Sequence, residues 1–240
     1  MNSKRRERII DEVEAASWLA DGMTIAIGQP TPMALVRQII KRGIKNLTIV
    51  DAGFSLDLLV GAGCVRKVVS YYAGGGFGNP VMPAFRRAAE RGEIEVWECE
   101  EGILCAGLQA AAQMLPFLPW RGGVGTSLPE VNPELQVFKD PINGESLLAV
   151  PPIKPDVTIL HAATADAYGN VQHYGGPGWI DLDPSNGIVG NRRHVRVAVA
   201  AQPKDAVPLQ GTWYGEKSDH LNMAVTVKVR SEPKFSSVSD

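Results

Sequence analysis

The chain has 240 residues, 45% hydrophobic and 21% charged, with a net charge of −2. That balance suits a single globular α/β domain and gives no electrostatic reason to expect nucleic acid or an anionic membrane surface. No apolar run reaches the ~18–20 residues of a bilayer span, and the N-terminus lacks the apolar core of a secretory signal.

The opening "SKRRERII" is basic, but "DEVE" neutralises it at once, as on a solvated first helix. Residues 8–20, "RIIDEVEAASWLA", carry apolar side chains at helical spacing. "DG" ends that helix, and "MTIAIG" follows as a short buried strand. "PMALVRQIIKRGI" predicts a helix with Pro32 near its start and Gly43 at its end. "NLTIVDAG" is the next strand, "SLDLLVGAG" a short helix and "CVRKVVSYY" a third strand. "PVMPAFRRAAERGE" is a helix, "IEVWE" a strand, and "EEGILCAGLQAAAQML" a helix again.

Strand–helix alternation of this kind predicts βαβ units. The strands are continuous apolar runs, so a largely parallel sheet with helices on both faces is expected. After Pro119 the texture changes. "RGGVGTSLPEVNPELQVFKDPINGES" is too long for a simple connection and predicts an ordered excursion. "LLAVPPIKPDVTILHAATADAYGNVQH" returns to two short strands, and "HVRVAVA" is the expected last strand of the sheet. "MAVTVKVR", residues 223–230, alternates with period two and predicts an edge strand with one wet face. The whole chain, 1–240, is expected to form one domain.

Ligands of an open parallel sheet bind beyond the carboxyl ends of its strands. Four loops fall there: "GQPTP", "DAGF", "AGGGFGNP" and "CEEG". In the third, Gly74, Gly75 and Gly76 allow backbone amides to approach a ligand, although a turn-rich connector explains them equally. The loop matches neither G-x-G-x-x-G nor a phosphate loop. The fourth brings two adjacent acids, Glu100 and Glu101, followed by Gly102 as a backbone hinge. The macrodipole favours a carboxylate at a helix N-terminus, so capping explains one acid without catalysis. It explains two less well, because the helix they introduce is apolar all round and should be buried. An acid held at such an end has a raised pKa if desolvation dominates and a lowered one if helix N–H groups dominate.

His161, His173, His194 and His220 are scattered, and Cys64, Cys99 and Cys105 lack metal-ligand spacing, so no metal site is expected. Three thiols without a disulfide-like pattern point to a reducing, cytoplasmic compartment. Ser127, in "GTS", shows no nucleophile-elbow pattern.

The ordered series "DGMTIAIG…PMALVRQII", "NLTIV", "GLQAAAQMLPFLP", "DPINGESLLAVPPIKPDVTILHA" and "ADAYGNVQ" resembles the alpha subunit of family I coenzyme A transferases. The nearest subgroup is that of the glutaconate CoA-transferase alpha chains. The resemblance runs from about Asp21 to about His173, and the chain diverges from about residue 178. It implies the CoA-transferase α/β fold and a beta-subunit partner, often as an α2β2 assembly. It implies an acyl-CoA and a carboxylic acid as substrates, with a coenzyme A thioester and no permanently bound cofactor. The glutamate that forms the acyl-CoA adduct usually comes from the beta subunit, leaving this chain to supply pocket walls. Gly76 and Phe77, with Gly74, Gly75 and Glu100, are then the candidate substrate contacts.

"EEG" followed by "GLQAAAQMLPFLP" is also similar to the alpha subunit of steroid-ring-opening acyl-CoA hydrolases. That likeness implies a catalytic Glu101, which would activate water or abstract a proton. Transfer of coenzyme A is the first reading and ring opening by carbon–carbon bond hydrolysis the alternative. A non-catalytic ligand-binding protein on the same architecture is a third.

Overall fold

The structure is a computed structural model that describes residues 9–28, 31–50, 53–74, 82–165, 171–172, 196–203 and 224–228. Its first half alternates strand and helix as the sequence predicts. The order is β1 (Ile9–Asp11), α1 (Glu12–Ala16), β2 (Thr24–Ile27), α2 (Met33–Lys41), β3 (Leu47–Val50), α3 (Ser55–Gly61), β4 (Val65–Ser70), α4 (Pro83–Glu90), β5 (Glu95–Glu98) and α5 (Glu101–Ala112). The excursion then contributes β6 (Leu118–Trp120), α6 (Leu128–Val131), β7 (Gln136–Lys139) and β8 (Ser146–Val150). The chain closes with β9 (Val157–Ala165), β10 (Val171–Gln172), β11 (Arg196–Pro203) and β12 (Ala224–Lys228).

Among the described residues, the main sheet runs β1-β12-β11-β9-β2-β3-β4-β5, with the short β10 added to β9. Every pairing along that path is parallel, and only β10 is antiparallel. The carboxyl ends of β2 to β5 therefore lie along one edge.

Alternate strand residues divide the core in two, because successive side chains of a strand point to opposite faces. Ile25, Ile27, Ile49, Val68 and Ile159 pack on one face with buried residues of α1 to α4, among them Leu35, Ile39, Leu59 and Ala88. Ala26, Val50, Val69 and Leu160 pack on the other with Ile103, Leu104 and Leu108 of α5 and Leu148 and Val150 of β8. The second cover is thus not all helix, because α5 shares that face with a three-stranded antiparallel sheet, β6-β8-β7. The Gly- and Pro-rich excursion builds this sheet. Its turn at 140–144 is fixed by the Asp140 carboxylate, which accepts from the backbone N–H groups of Ile142 at 3.1 Å and Asn143 at 2.8 Å.

Two expectations need correcting. The helix expected over 8–20 is a short strand followed by a five-residue helix. Asp11 imposes the break by accepting from the Val13 and Glu14 amides at 3.0 and 2.7 Å, so the helix starts only after it. The period-two segment near the C-terminus is not an edge strand. β12 sits between β11 and β1, with Thr226 paired to Ile9 on one side and to Val199 on the other. Alternation identifies a strand, but the pairing that covers its outer side comes from more than 200 residues away in sequence. The chain beyond residue 178 therefore supplies two strands of the main sheet, β11 and β12. No helix among the described residues is long and apolar enough to cross a membrane.

Candidate active site at the first turn of helix α5

Strand β5 ends at Glu98, and only Cys99 and Glu100 separate it from α5. The Cys99 amide still bonds the Ser70 carbonyl at 3.3 Å, so the ends of β4 and β5 stay paired as the chain turns. Asn132, 3% exposed, donates from Nδ2 to the Glu98 carbonyl at 2.6 Å. The excursion is thereby tied to the end of β5.

Helix α5 is buried, as its uniform apolarity predicts: Ile103, Leu104, Leu108 and Ala110 are fully enclosed. Its N-cap is Glu100, in extended backbone conformation. One Glu100 carboxylate oxygen accepts from the Gly102 amide at 3.0 Å, and the other accepts from the Ile103 amide at 3.1 Å. That second oxygen also accepts from the indole Nε1–H of Trp120 at 3.2 Å. Two of the amides that a helix leaves unpaired at its start are satisfied this way. The carboxylate sits at the positive end of the α5 dipole.

Glu101 stands in the next position with the opposite surroundings. Its Oε1 is buried and has no hydrogen-bond partner among the described residues. Burial pushes the carboxyl above its usual range. A side-chain hydrogen bond from Tyr71 acts against the shift, and the charge of Glu100 adds to it. Unpartnered buried polar atoms are uncommon in folded proteins. A desolvated carboxyl with a neighbouring charge at a strand tip marks a functional-site candidate.

Glycine at 102 is not a hinge. It lies within the helix, and a Cβ there would fall 2.2 Å from Trp120 Cζ2 and 2.8 Å from Glu100 Oε1. The residue is small because the indole packs on it.

Tyr71 directly follows β4 and lies three residues before Gly74, so the glycine-rich loop starts beside the acid pair. A Cβ on Gly74 would meet the Tyr72 ring, 2.1 Å from its hydroxyl. Gly75, Gly76 and Phe77 lie outside the described residues. Of the expected site residues, the structure therefore brings Glu100, Glu101 and Gly74 to one corner of the sheet. Tyr71 and Trp120 were not singled out from sequence. Tyr71 had a signal, since it stands just past a strand end, between that strand and the glycines. Trp120 had none, because its approach depends on how β6 pairs with β8.

Elsewhere, His161 lies exposed on β9, while His173, His194 and His220 fall outside the residues whose side chains are described. Ser127 stands exposed at the start of α6. No group of three or more His, Cys, Asp or Glu side chains suited to a metal ion occurs among the described residues.

Comparison with known proteins completes the description. The family model described as Coenzyme A transferase matches residues 10–202. The chain is 39% identical over 175 residues to the IpdA component of a cholesterol ring-cleaving hydrolase of Mycobacterium tuberculosis, covering 68% of this chain and 59% of the relative. It is 39% identical over 166 residues to the first of the lettered subunits of 3-oxoadipate CoA-transferase from Pseudomonas knackmussii, covering 66% and 58%. Each match spans less than two thirds of the relative's length. Among solved structures, a variant of the decarboxylase AibA/AibB superposes with a TM-score of 0.76 at 25% identity, covering 92% of this chain and 82% of that one. Glutaconate coenzyme A-transferase from Acidaminococcus fermentans gives a TM-score of 0.73 at 26% identity, covering 82% and 67%.

Proposed function

The chain belongs to the coenzyme A transferase family, and on that premise we propose that it is the alpha component of a two-subunit enzyme that works on acyl-CoA thioesters. The first reading is transfer of coenzyme A between an acyl-CoA and a carboxylic acid. Relatives named as subunits of CoA-transferases support it, as does the family match over 193 residues, 10 to 202. A beta subunit completes the site, in an α2β2 assembly, and supplies the nucleophilic glutamate. The thioester is the substrate, with no permanently bound cofactor, and three thiols suit a reducing cytoplasm.

Glu101 is the chemical group this chain contributes, and the observation that carries its assignment is its buried oxygen at the strand tips, without a hydrogen-bond partner among the described residues. In transfer, a carboxyl held above its usual range lends a proton to the departing coenzyme A sulfur. It takes the proton back when that sulfur attacks the new acyl group. Gly74, Gly75, Gly76 and Phe77 wall the acyl group. Glu100 borders the pocket, but its oxygens already serve the helix and Trp120.

The same observation favours a second reading, hydrolysis of a carbon–carbon bond in a cyclic acyl-CoA, supported by the likeness to the ring-cleaving hydrolase. There Glu101 in its ionised form takes a proton from water, and the hydroxide attacks a ring carbonyl. The bond to the neighbouring carbon breaks, and that carbon takes up a proton.

The test uses the full chain co-purified with its partner, together with an acyl-CoA and an isotopically labelled carboxylic acid in 18O-water. Label appearing in a new thioester supports transfer. 18O in a ring-opened acid without exchange of coenzyme A supports hydrolysis. Neither product from any acyl-CoA tried, with the assembled complex, contradicts both readings.

A further inference from the structure

The proposed chemistry leaves one cluster unused. Trp120, at the end of β6, reaches across to α5 and meets two glycines. A Cβ on Gly102 would stand 2.2 Å from the indole Cζ2, and one on Gly122 would stand 2.6 Å from Nε1 and 3.1 Å from Glu100 Oε2. Any side chain at position 102 would collide with the indole, so glycine in the first turn of α5 makes room for it. The ring's position is set from the other side by antiparallel pairing of Trp120 with Leu148. To the apolar packing of the small sheet on α5, Trp120 thus adds a directional bond at the helix end, the 3.2 Å contact to Glu100.

We propose that Trp120 is a positioning residue for Glu101: bonded to Glu100 and seated on Gly102 and Gly122, its indole holds the first turn of α5 shut and keeps the Glu101 carboxyl dry beside Tyr71. The proposal rests on the reading of Glu101 as the working acid. Capping by the two amides alone would hold the helix. The indole adds a fixed orientation of the Glu100 carboxylate and a cover over the turn. The groups that act on Glu101 are Tyr71, just past the end of β4, through a hydrogen bond, and Glu100, from its own turn, through its charge. Loosening the turn lets water reach Glu101, and the burial that holds its proton is then relieved.

Carboxyl-13C glutamate labelling of the full chain makes this measurable. The Glu101 signal is assigned by its loss in Glu101→Gln and titrated in the wild type, in Trp120→Phe and in Gly122→Ala. Trp120→Phe removes the N–H and keeps an aromatic ring, while Gly122→Ala pushes the indole off its seat. The expected wild-type midpoint lies above the ordinary 4.5, and in both variants it falls toward 4.5. A folded Trp120→Phe protein that melts lower but titrates as the wild type does overturns the positioning role. If Trp120→Phe does not fold, an unmoved midpoint in Gly122→Ala overturns it equally. A wild-type midpoint at or below 4.5 removes the proton-holding carboxyl that transfer requires, a failure distinct from that of the positioning role.

Discussion

The first turn of α5 has two sides made from the same amino acid and put to opposite use. On the side of the antiparallel sheet, both oxygens of Glu100 are occupied, by two helix amides and an indole. On the side of β4, Glu101 has a buried oxygen with no partner among the described residues. One acid stabilises the fold, and the other is held at a cost to it. Adjacent, identical side chains are thus distinguished by which element arrives beside them: β6 with its tryptophan, or β4 with its tyrosine.

The sharpest way to break this comparison is to exchange each acid for its amide in the assembled enzyme. Glu101→Gln is expected to lower kcat/KM by ~10²–10⁴, the usual scale for losing a positioned proton-transfer group. Glu100→Gln is expected to lose far less, because an amide oxygen in the place of Oε2 still accepts from Ile103 and Trp120 and only the bond from Gly102 is given up. Steady-state kinetics on the two complexes decide it, and equal losses would erase the distinction.

Stability should reverse the order. Glu100→Ala removes the cap and is expected to cost about 1 kcal/mol. For a domain of this size that lowers Tm by ~2–4 °C in a thermal melt. Glu101→Gln should instead raise Tm at pH 8. A carboxyl that holds its proton more tightly when folded stabilises the fold below the ordinary value of 4.5, and that contribution is lost as pH rises through the raised folded value. The amide cannot ionise, so it escapes the loss. The Tm advantage of Glu101→Gln therefore shrinks as pH falls and disappears below about 4.5. An advantage that persists at low pH would show that burial of the charge is not its source.

The smallest effect is expected at Gly74. The atoms nearest a Cβ there belong to the far end of the Tyr72 side chain, which is 62% exposed and free to swing aside. Gly74→Ala should change stability by no more than ~0.5 kcal/mol. A chemical-denaturation curve checks it, and a large loss would show that this loop is held more firmly than the Tyr72 contact suggests.

Much of this architecture is legible in the sequence, for physical reasons. α2 and α5 are found where apolar spacing, a proline just before the helix or a buried apolar surface puts them. The apolar runs from "MTIAI" to "IEVWE" are neighbours in one parallel sheet, because each is bounded by a helix long enough to cross back. The strand at Ile9–Asp11 was hidden by its helical spacing, and only the Asp11 cap separates it from α1. β12 read as an edge because alternation carries no information about a distant partner. The acid pair was visible as a pair, and capping was expected of one member. Which member caps is set by the helix starting at Glu101, and the indole that fixes the capping carboxylate arrives from β6, a tertiary fact with no local signature.

The central claim is that Glu101, not Glu100, handles the proton. The most direct test is the pH dependence of kcat/KM for the wild-type complex and its two amide variants. The account predicts a limb in the wild type that survives in Glu100→Gln and is missing from the residual activity of Glu101→Gln. The limb falls toward low pH if the ionised form works, as in hydrolysis, and toward high pH if the protonated form must lend its proton first. A wild-type limb that remains unchanged in Glu101→Gln would contradict the claim.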